Sequence, residues 1–160
     1  MSQSRRDGGF TLIEMMVVVG LVSLLAALGV GAWKSWSAAE GHKGAATDMQ
    51  TVLRQTQVRA VTEGQNFCVK FDTVANAYTV YRFACATTTD SDKVSGPFTL
   101  GDRLQISNVS FASVAPAAIT ELTFKASGSA TPGGLTITRT GSTKVYTLDV
   151  EGLTGRVSVS

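Results

Sequence analysis

A run of apolar residues that holds a single charge dominates the N-terminal part of this sequence. From Phe10 to Trp33 the 24 residues are apolar, glycine, serine or threonine, except for Glu14. Because a helix rises 1.5 Å per residue, about 20 such residues cross a hydrocarbon core of roughly 30 Å. The length therefore predicts a membrane-spanning helix over residues 10–33.

Glu14 is the residue of this run that needs a physical explanation. A charged side chain in a membrane helix costs about 2.5 to 3.5 kcal/mol on insertion scales, so it indicates a functional role and a partner. The alternative is a plain stop-transfer anchor in which Glu14 lies close enough to the interface to stay hydrated.

The residues before the run predict its orientation. Arg5 and Arg6 precede it, and the positive-inside rule places such a flank in the cytoplasm. A secretory signal peptide has its small-residue cleavage site after the apolar region, whereas Gly8 and Gly9 come before it here. Cleavage at this point would leave the hydrophobic helix on the protein, with the rest of the chain outside the cytoplasm.

The motif over residues 8–14, GGFTLIE, resembles the processing site of type IV prepilins and type II secretion pseudopilins. The resemblance implies that residues 1–9 are a leader, that a prepilin peptidase cuts between Gly9 and Phe10, and that Phe10 becomes N-methylated. It also implies that Glu14 meets the free N-terminal amine of a neighbouring subunit during filament assembly. Two opposite charges attract strongly in a low dielectric, and either one alone is heavily penalised there.

The same resemblance implies a location and a set of partners. The protein would lie in the bacterial inner membrane as a single-pass protein, with its N-terminus in the cytoplasm and its head outside, and would enter a pilus or pseudopilus. Its partners would be the prepilin peptidase, other pilin or pseudopilin subunits, the inner-membrane assembly platform and membrane lipid.

The remaining chain predicts one α+β domain. The helix continues over residues 34–64, its apolar stripe comprises Met49, Val52, Leu53, Thr56 and Ala60, and Gly64 ends it. Residues 65–160 predict a β-rich head, because short alternating runs are separated by turn residues. The predicted strands are NFCVKF, AYTVYRF, RLQISNVSF, ELTFKA, GLTITR, KVYTLDV and GRVSV. The second half of the helix should pack on one antiparallel sheet or on two small ones.

The turn-rich segment 84–97, ACATTTDSDKVSGP, predicts a surface loop that could carry partner contacts. The two cysteines are Cys68, in the predicted strand NFCVKF, and Cys85, the second residue of this segment. We expect them to form a disulfide, because disulfides persist outside the cytoplasm.

Two hairpin registers are open for this cysteine pair. A turn at Asn76-Ala77 sets Cys68 opposite Cys85. Matching the apolar faces, with Phe67, Val69 and Phe71 against Tyr81 and Phe83, instead places the two cysteines on opposite faces of the hairpin.

No pattern in the sequence predicts catalysis, a cofactor or a metal site. The one histidine, His42, lacks the further ligands or orienting partner that such sites need. Nucleophile-elbow, zinc-protease, phosphate-loop and dinucleotide motifs are absent from the sequence. We therefore predict a protein that is not an enzyme.

Over most of its length the chain is similar to pseudopilin H (GspH) and to FimT-like minor pilins. It shares a helix end like LRQTQVRAVTEG and a C-terminal part like FKASGSATPGGLTITR followed by GLTGRVSV. The main hypothesis is therefore a minor pilin or pseudopilin that acts by assembly.

The alternative hypothesis is a minor pilin that binds DNA for uptake. The FimT-like proteins linked to that role carry a Gly-Arg-x-Arg tail whose arginines could hold phosphates. Here Gly155 and Arg156 match that tail, but Ser158 stands where the second arginine would be. The formal net charge of +2 falls to +1 once residues 1–9, with two arginines and one aspartate, are removed. Bulk charge thus gives nucleic-acid binding little support.

Overall fold

The structure is a computed structural model that describes residues 11–111 and 120–160, with the backbone alone for residues 28–39. The chain divides into two compact units between Ala39 and Glu40. One helix, α1, runs from Leu12 to Glu63.

Helix α1 ends at the predicted position. Gly64 adopts a φ of +64°, a left-handed conformation that glycine enters without steric cost. The N–H of Gln65 donates to the carbonyl of Ala60 at 3.1 Å, the bond that closes a Schellman motif. The chain then turns directly into the first strand.

From Glu40 onward one face of α1 is buried in the head. Met49, Leu53 and Ala60 are fully buried and Thr56 nearly so, while Val52 is partly buried at the edge of the core. The predicted stripe is thus confirmed. It also extends further toward the N-terminus than the sequence indicated, because His42 and Ala46 are buried as well.

Within the described residues the strands form two four-stranded antiparallel sheets, which confirms the α+β prediction and shows two small sheets instead of one. Sheet A has the order β3-β2-β1-β5 and sheet B the order β4-β6-β7-β8. The strands are β1 (Phe67–Asp72), β2 (Ala77–Arg82), β3 (Lys93–Thr99), β4 (Leu104–Phe111), β5 (Glu121–Phe124), β6 (Gly133–Arg139), β7 (Val145–Val150) and β8 (Val157–Val159).

The two sheets and the head part of α1 share one core. Phe71 of sheet A stacks on Phe111 of sheet B with ring centroids 5.5 Å apart. The Asn76 side chain joins the sheets a second time, since its Oδ1 accepts a hydrogen bond from the Ile106 N–H at 3.0 Å.

The prediction of a surface loop over residues 84–97 is wrong for the second half of that segment. Two single-turn 3₁₀ segments, Cys85–Thr87 and Asp90–Asp92, are followed by strand β3 from Lys93. This strand lies at the edge of sheet A and has no fully buried residue. Its sequence therefore shows no regular alternation of apolar and polar residues. An edge position also tolerates Pro97, which has no N–H to donate to a neighbouring strand.

Both hairpin registers considered from the sequence are wrong. Asp72 pairs with Ala77 and Cys68 faces Tyr81, so the turn comprises residues 73–76. The Asp72 carboxylate explains this register, because its Oδ1 accepts hydrogen bonds from the N–H groups of Val74 and Ala75 at 2.9 Å each. Aspartate side chains commonly hold turns in this way.

The predicted disulfide is present although the register differs. Cys68 of β1 is bonded to Cys85 in the first 3₁₀ segment, with the Cα atoms 5.0 Å apart. Cys68 is fully buried and Cys85 nearly so. The bond therefore ties the chain that follows β2 back onto sheet A.

Removing the disulfide should lower the stability of the head. The bond closes a loop of 17 residues, and chain entropy for such a loop corresponds to about 3 kcal/mol. We expect the double variant Cys68→Ala/Cys85→Ala to lose about that much free energy of unfolding in urea titrations followed by circular dichroism. Reduced wild-type protein is the control and should unfold at a similarly low urea concentration. Two alkylatable thiols in the unreduced protein would contradict the bond itself.

Candidate assembly interface

The described start of α1 is apolar on all sides and fully open to the surroundings. Every residue from Thr11 to Ala27 is exposed, including Leu12 at 78% and Leu25 at 67%. A helix that is apolar all round is ordinarily found in a protein core or in a membrane. This surface therefore requires either lipid or the apolar surface of a partner.

Glu14 lies in the first turn of α1 and carries the only charge of this exposed segment. Its N–H donates to Oγ1 of Thr11 at 3.3 Å, so Thr11 caps the helix. A carboxylate in the first turn is favoured by the partial positive charge of the helix N-terminus. Within the described residues no cation forms an ion pair with Glu14.

The predicted cleavage site and part of the predicted membrane span lie outside the described residues. Gly9 and Phe10 belong to the stretch 1–10, and the side chains of residues 28–33 are likewise not described. In the part of the chain that the structure describes, no helix meets both the length and the apolar character of a membrane span.

The lone histidine packs inside the head. His42 is 2% exposed, and its Nε2 lies 3.0 Å from the carbonyl oxygen of Ile137 in β6. Because a carbonyl can only accept, Nε2 carries the proton. The imidazole also meets the Tyr146 ring edge to face, with centroids 4.7 Å apart. No group of three or more potential metal ligands occurs among the described residues.

Three further polar side chains of α1 hold the C-terminal part of the head. Gln50 and Arg54 both donate to the carbonyl of Val157 in β8, each with a contact of 3.0 Å. Gln57 donates to the carbonyl of Thr154 at 2.6 Å and to that of Gly128 at 3.2 Å. These contacts were not predicted from the sequence. In the sequence, the only sign of these contacts is that the three polar residues follow one another at intervals of four and three residues, beside the apolar stripe.

Arg156 lies in a shallow groove on the outer face of sheet B, with a volume of about 800 Å³. Gly133 and Gly134 line the groove, and so do Asp149 and Glu151 beside the arginine. These two carboxylates offset the positive charge of Arg156. The groove therefore lacks the cationic character that a phosphate backbone selects.

Two groups in the head have shifted pKa values. Burial, and to a lesser degree the carboxylate of Asp48, raise the pKa of Tyr78 to about 12. Hydrogen bonds from the backbone N–H and the hydroxyl of Thr89 lower the pKa of Asp92. Asp92 therefore stays ionised to a lower pH than an ordinary aspartate, and Tyr78 stays protonated in the core.

An N-terminal helix that is exposed and apolar at its start, and packed on two antiparallel sheets in its second part, defines a pilin-like subunit. A family model described as Type II transport protein GspH matches residues 45–154, and a model of the prokaryotic N-terminal methylation motif matches residues 4–30. The chain belongs to the GspH family. This confirms the resemblance to pseudopilins and minor pilins.

Solved structures show the same fold. The minor pseudopilin EpsH from the type 2 secretion system of Vibrio cholerae is 23% identical, with a TM-score of 0.55 over 74% of this chain and 94% of that chain. The type IV minor pilin FimU of Pseudomonas aeruginosa is 16% identical, with a TM-score of 0.54 over 78% of this chain and 92% of that chain. No curated protein sequence matched the chain.

Proposed function

We propose that the protein is a minor pseudopilin or minor pilin, a structural subunit that acts by assembling into a pseudopilus or a type IV pilus. The observation that carries this proposal is the exposed apolar start of α1, with its single carboxylate, on the same uninterrupted helix as a head of the GspH family. Such a surface needs lipid before assembly and other subunits afterwards. We propose no catalytic role.

The proposed topology is a single pass through the bacterial inner membrane. Residues 1–9 are the leader, residues 10–33 the membrane and assembly helix, residues 34–64 its soluble half, and residues 65–160 the head. Arg5 and Arg6 keep the leader in the cytoplasm under the positive-inside rule. The Cys68–Cys85 disulfide supports an extracytoplasmic head, because such bonds persist in oxidising compartments.

Glu14 is the proposed assembly contact. Its carboxylate is stable in an apolar surrounding only when an opposite charge neutralises it. The N-terminal amine of Phe10 on a neighbouring subunit supplies such a charge once the leader has been removed. The pairing fixes the stagger between subunits, because an offset neighbour would leave both charges unpaired. The assembly platform and the other subunits are the protein partners of this step.

Substituting Gly9 should block processing. The proposed peptidase cuts after this residue, and a side chain there would obstruct the site, so Gly9→Ala should accumulate as the uncut precursor. Mass spectrometry of the membrane fraction would detect the retained leader and the absence of methylation on Phe10. Gly20→Ala, in the same helix with open space around it, is the control and should be processed normally. Efficient cleavage of Gly9→Ala would contradict this site.

Removing the charge of Glu14 should leave processing intact but impair assembly. The neighbouring amine would remain unpaired, and each 1.4 kcal/mol of lost interaction corresponds to about a tenfold change in equilibrium. We expect Glu14→Ala to reach sheared filaments at about a tenth of the wild-type level or less, as measured by quantitative immunoblotting. Glu40→Ala removes an exposed carboxylate from the same helix and should assemble normally. Wild-type incorporation of Glu14→Ala would refute the pairing.

The DNA-binding alternative receives no support from the geometry around Arg156. Because Asp149 and Glu151 share its groove, we expect no salt-sensitive binding of the detergent-solubilised protein to double-stranded DNA. Fluorescence anisotropy over a salt series would measure this, with Arg156→Ala and Arg139→Ala compared in parallel. Binding that weakens with salt and is lost only in Arg156→Ala would favour the DNA-binding role.

A further inference from the structure

The head part of α1 contacts sheet B through a row of hydrogen-bond donors in addition to its apolar stripe. His42, Gln50, Arg54 and Gln57 form this donor row, and every one of their acceptors is a main-chain carbonyl. The row runs from His42 to Gln57, and these 15 steps along the helix correspond to roughly 22 Å at 1.5 Å per residue. His42 is two residues after Glu40, where the compact unit begins.

The acceptors are spread over two strands of sheet B and two turns outside them. His42 reaches β6, while Gln50 and Arg54 share the Val157 carbonyl of β8. Gln57 binds the turn that leads into β8 and also the carbonyl of Gly128. Strand β8 lies at the edge of sheet B, so without these donors the Val157 carbonyl would be available for pairing with another strand.

The donor row and the apolar stripe differ in how strongly they oppose a displacement of α1 along its axis. Burial of apolar surface is non-directional and depends on the area removed from water. A helix held by such contacts alone can shift along its axis and keep most of its buried area. Hydrogen bonds weaken steeply with distance and angle, so a shift of a few ångströms breaks all of them.

We propose that the donor row fixes the axial position of α1 against sheet B, so that a pull along the helix is transmitted to the sheet instead of sliding the helix out. The source of that pull rests on the proposed function, in which the apolar segment is drawn out of the membrane during assembly. The four side chains are positioning residues, and they hold the helix by recognising backbone carbonyls.

Force spectroscopy on the purified full chain in detergent tests this proposal. The test variant is His42→Phe/Gln50→Met/Arg54→Met/Gln57→Met, which keeps side-chain bulk and removes every donor. The control variant Lys43→Met/Gln55→Met removes one cation and one amide from the same helix. In the described structure neither control side chain bonds to sheet B.

Two directions of pulling separate axial fixation from general stability. Force between the two chain termini loads α1 against sheet B. Force between Val74 and Lys144, both exposed and attached through unnatural amino acids, loads the sheets without passing through the helix. We expect the test variant to lose about half of its rupture force in the first direction and little in the second, because the lost bonds oppose only axial displacement. The control variant should match the wild type in both.

An equal loss in both directions, or no loss along the helix, would overturn the proposal. If the fourfold variant does not fold, Gln50→Met/Gln57→Met is measured in its place and should show the same directional loss at a smaller size. The measurement uses purified protein and does not depend on filament formation. Failure of the assembly role would therefore leave its outcome unchanged.

Discussion

The burial of one face of α1 against two sheets is the contact around which the head is built. One continuous helix, from Leu12 to Glu63, has two parts with different surroundings. Near its start every side is apolar, whereas from Glu40 onward only one stripe is. This change of pattern along one helix separates an exposed apolar segment from a segment that is buried on one face by its own head.

The head closes around the stripe by joining elements that are distant in the chain. Phe71 and Phe111 stack across the two sheets, and the disulfide ties the chain after β2 to β1. The edge strand β8 is covered by Gln50 and Arg54 from the helix. The helix thus acts both as the apolar support of the core and as the cover of an exposed sheet edge, which limits unwanted strand pairing.

Most of the elements could be predicted because each has a local physical signal. Strands such as β6 alternate fully buried residues with half-buried ones, and the glycine at position 64 marks the helix end. Strand β3 lacks such a signal, because an edge strand buries few of its side chains. It also contains Pro97, which is tolerated in an edge strand but is not typical of strands. The hairpin register depended on the Asp72 carboxylate capping a four-residue turn, a local contact that weighing apolar faces alone does not detect. The role of His42 could not be predicted, because its partner Ile137 lies 95 residues away.

The sequence by itself determined the division of the chain into an apolar helix and a β-rich head, and it predicts that Glu14 needs a partner. It could do so because hydropathy, helical period and charge are properties of neighbouring residues. Only the tertiary structure decided which sheets form, where Cys85 lies, and which carbonyls the donors of α1 reach. Those features depend on contacts between residues far apart in the chain, and no local preference specifies them. The same holds for the groove around Arg156, whose weak cationic character becomes visible only once β7 brings Asp149 alongside β8.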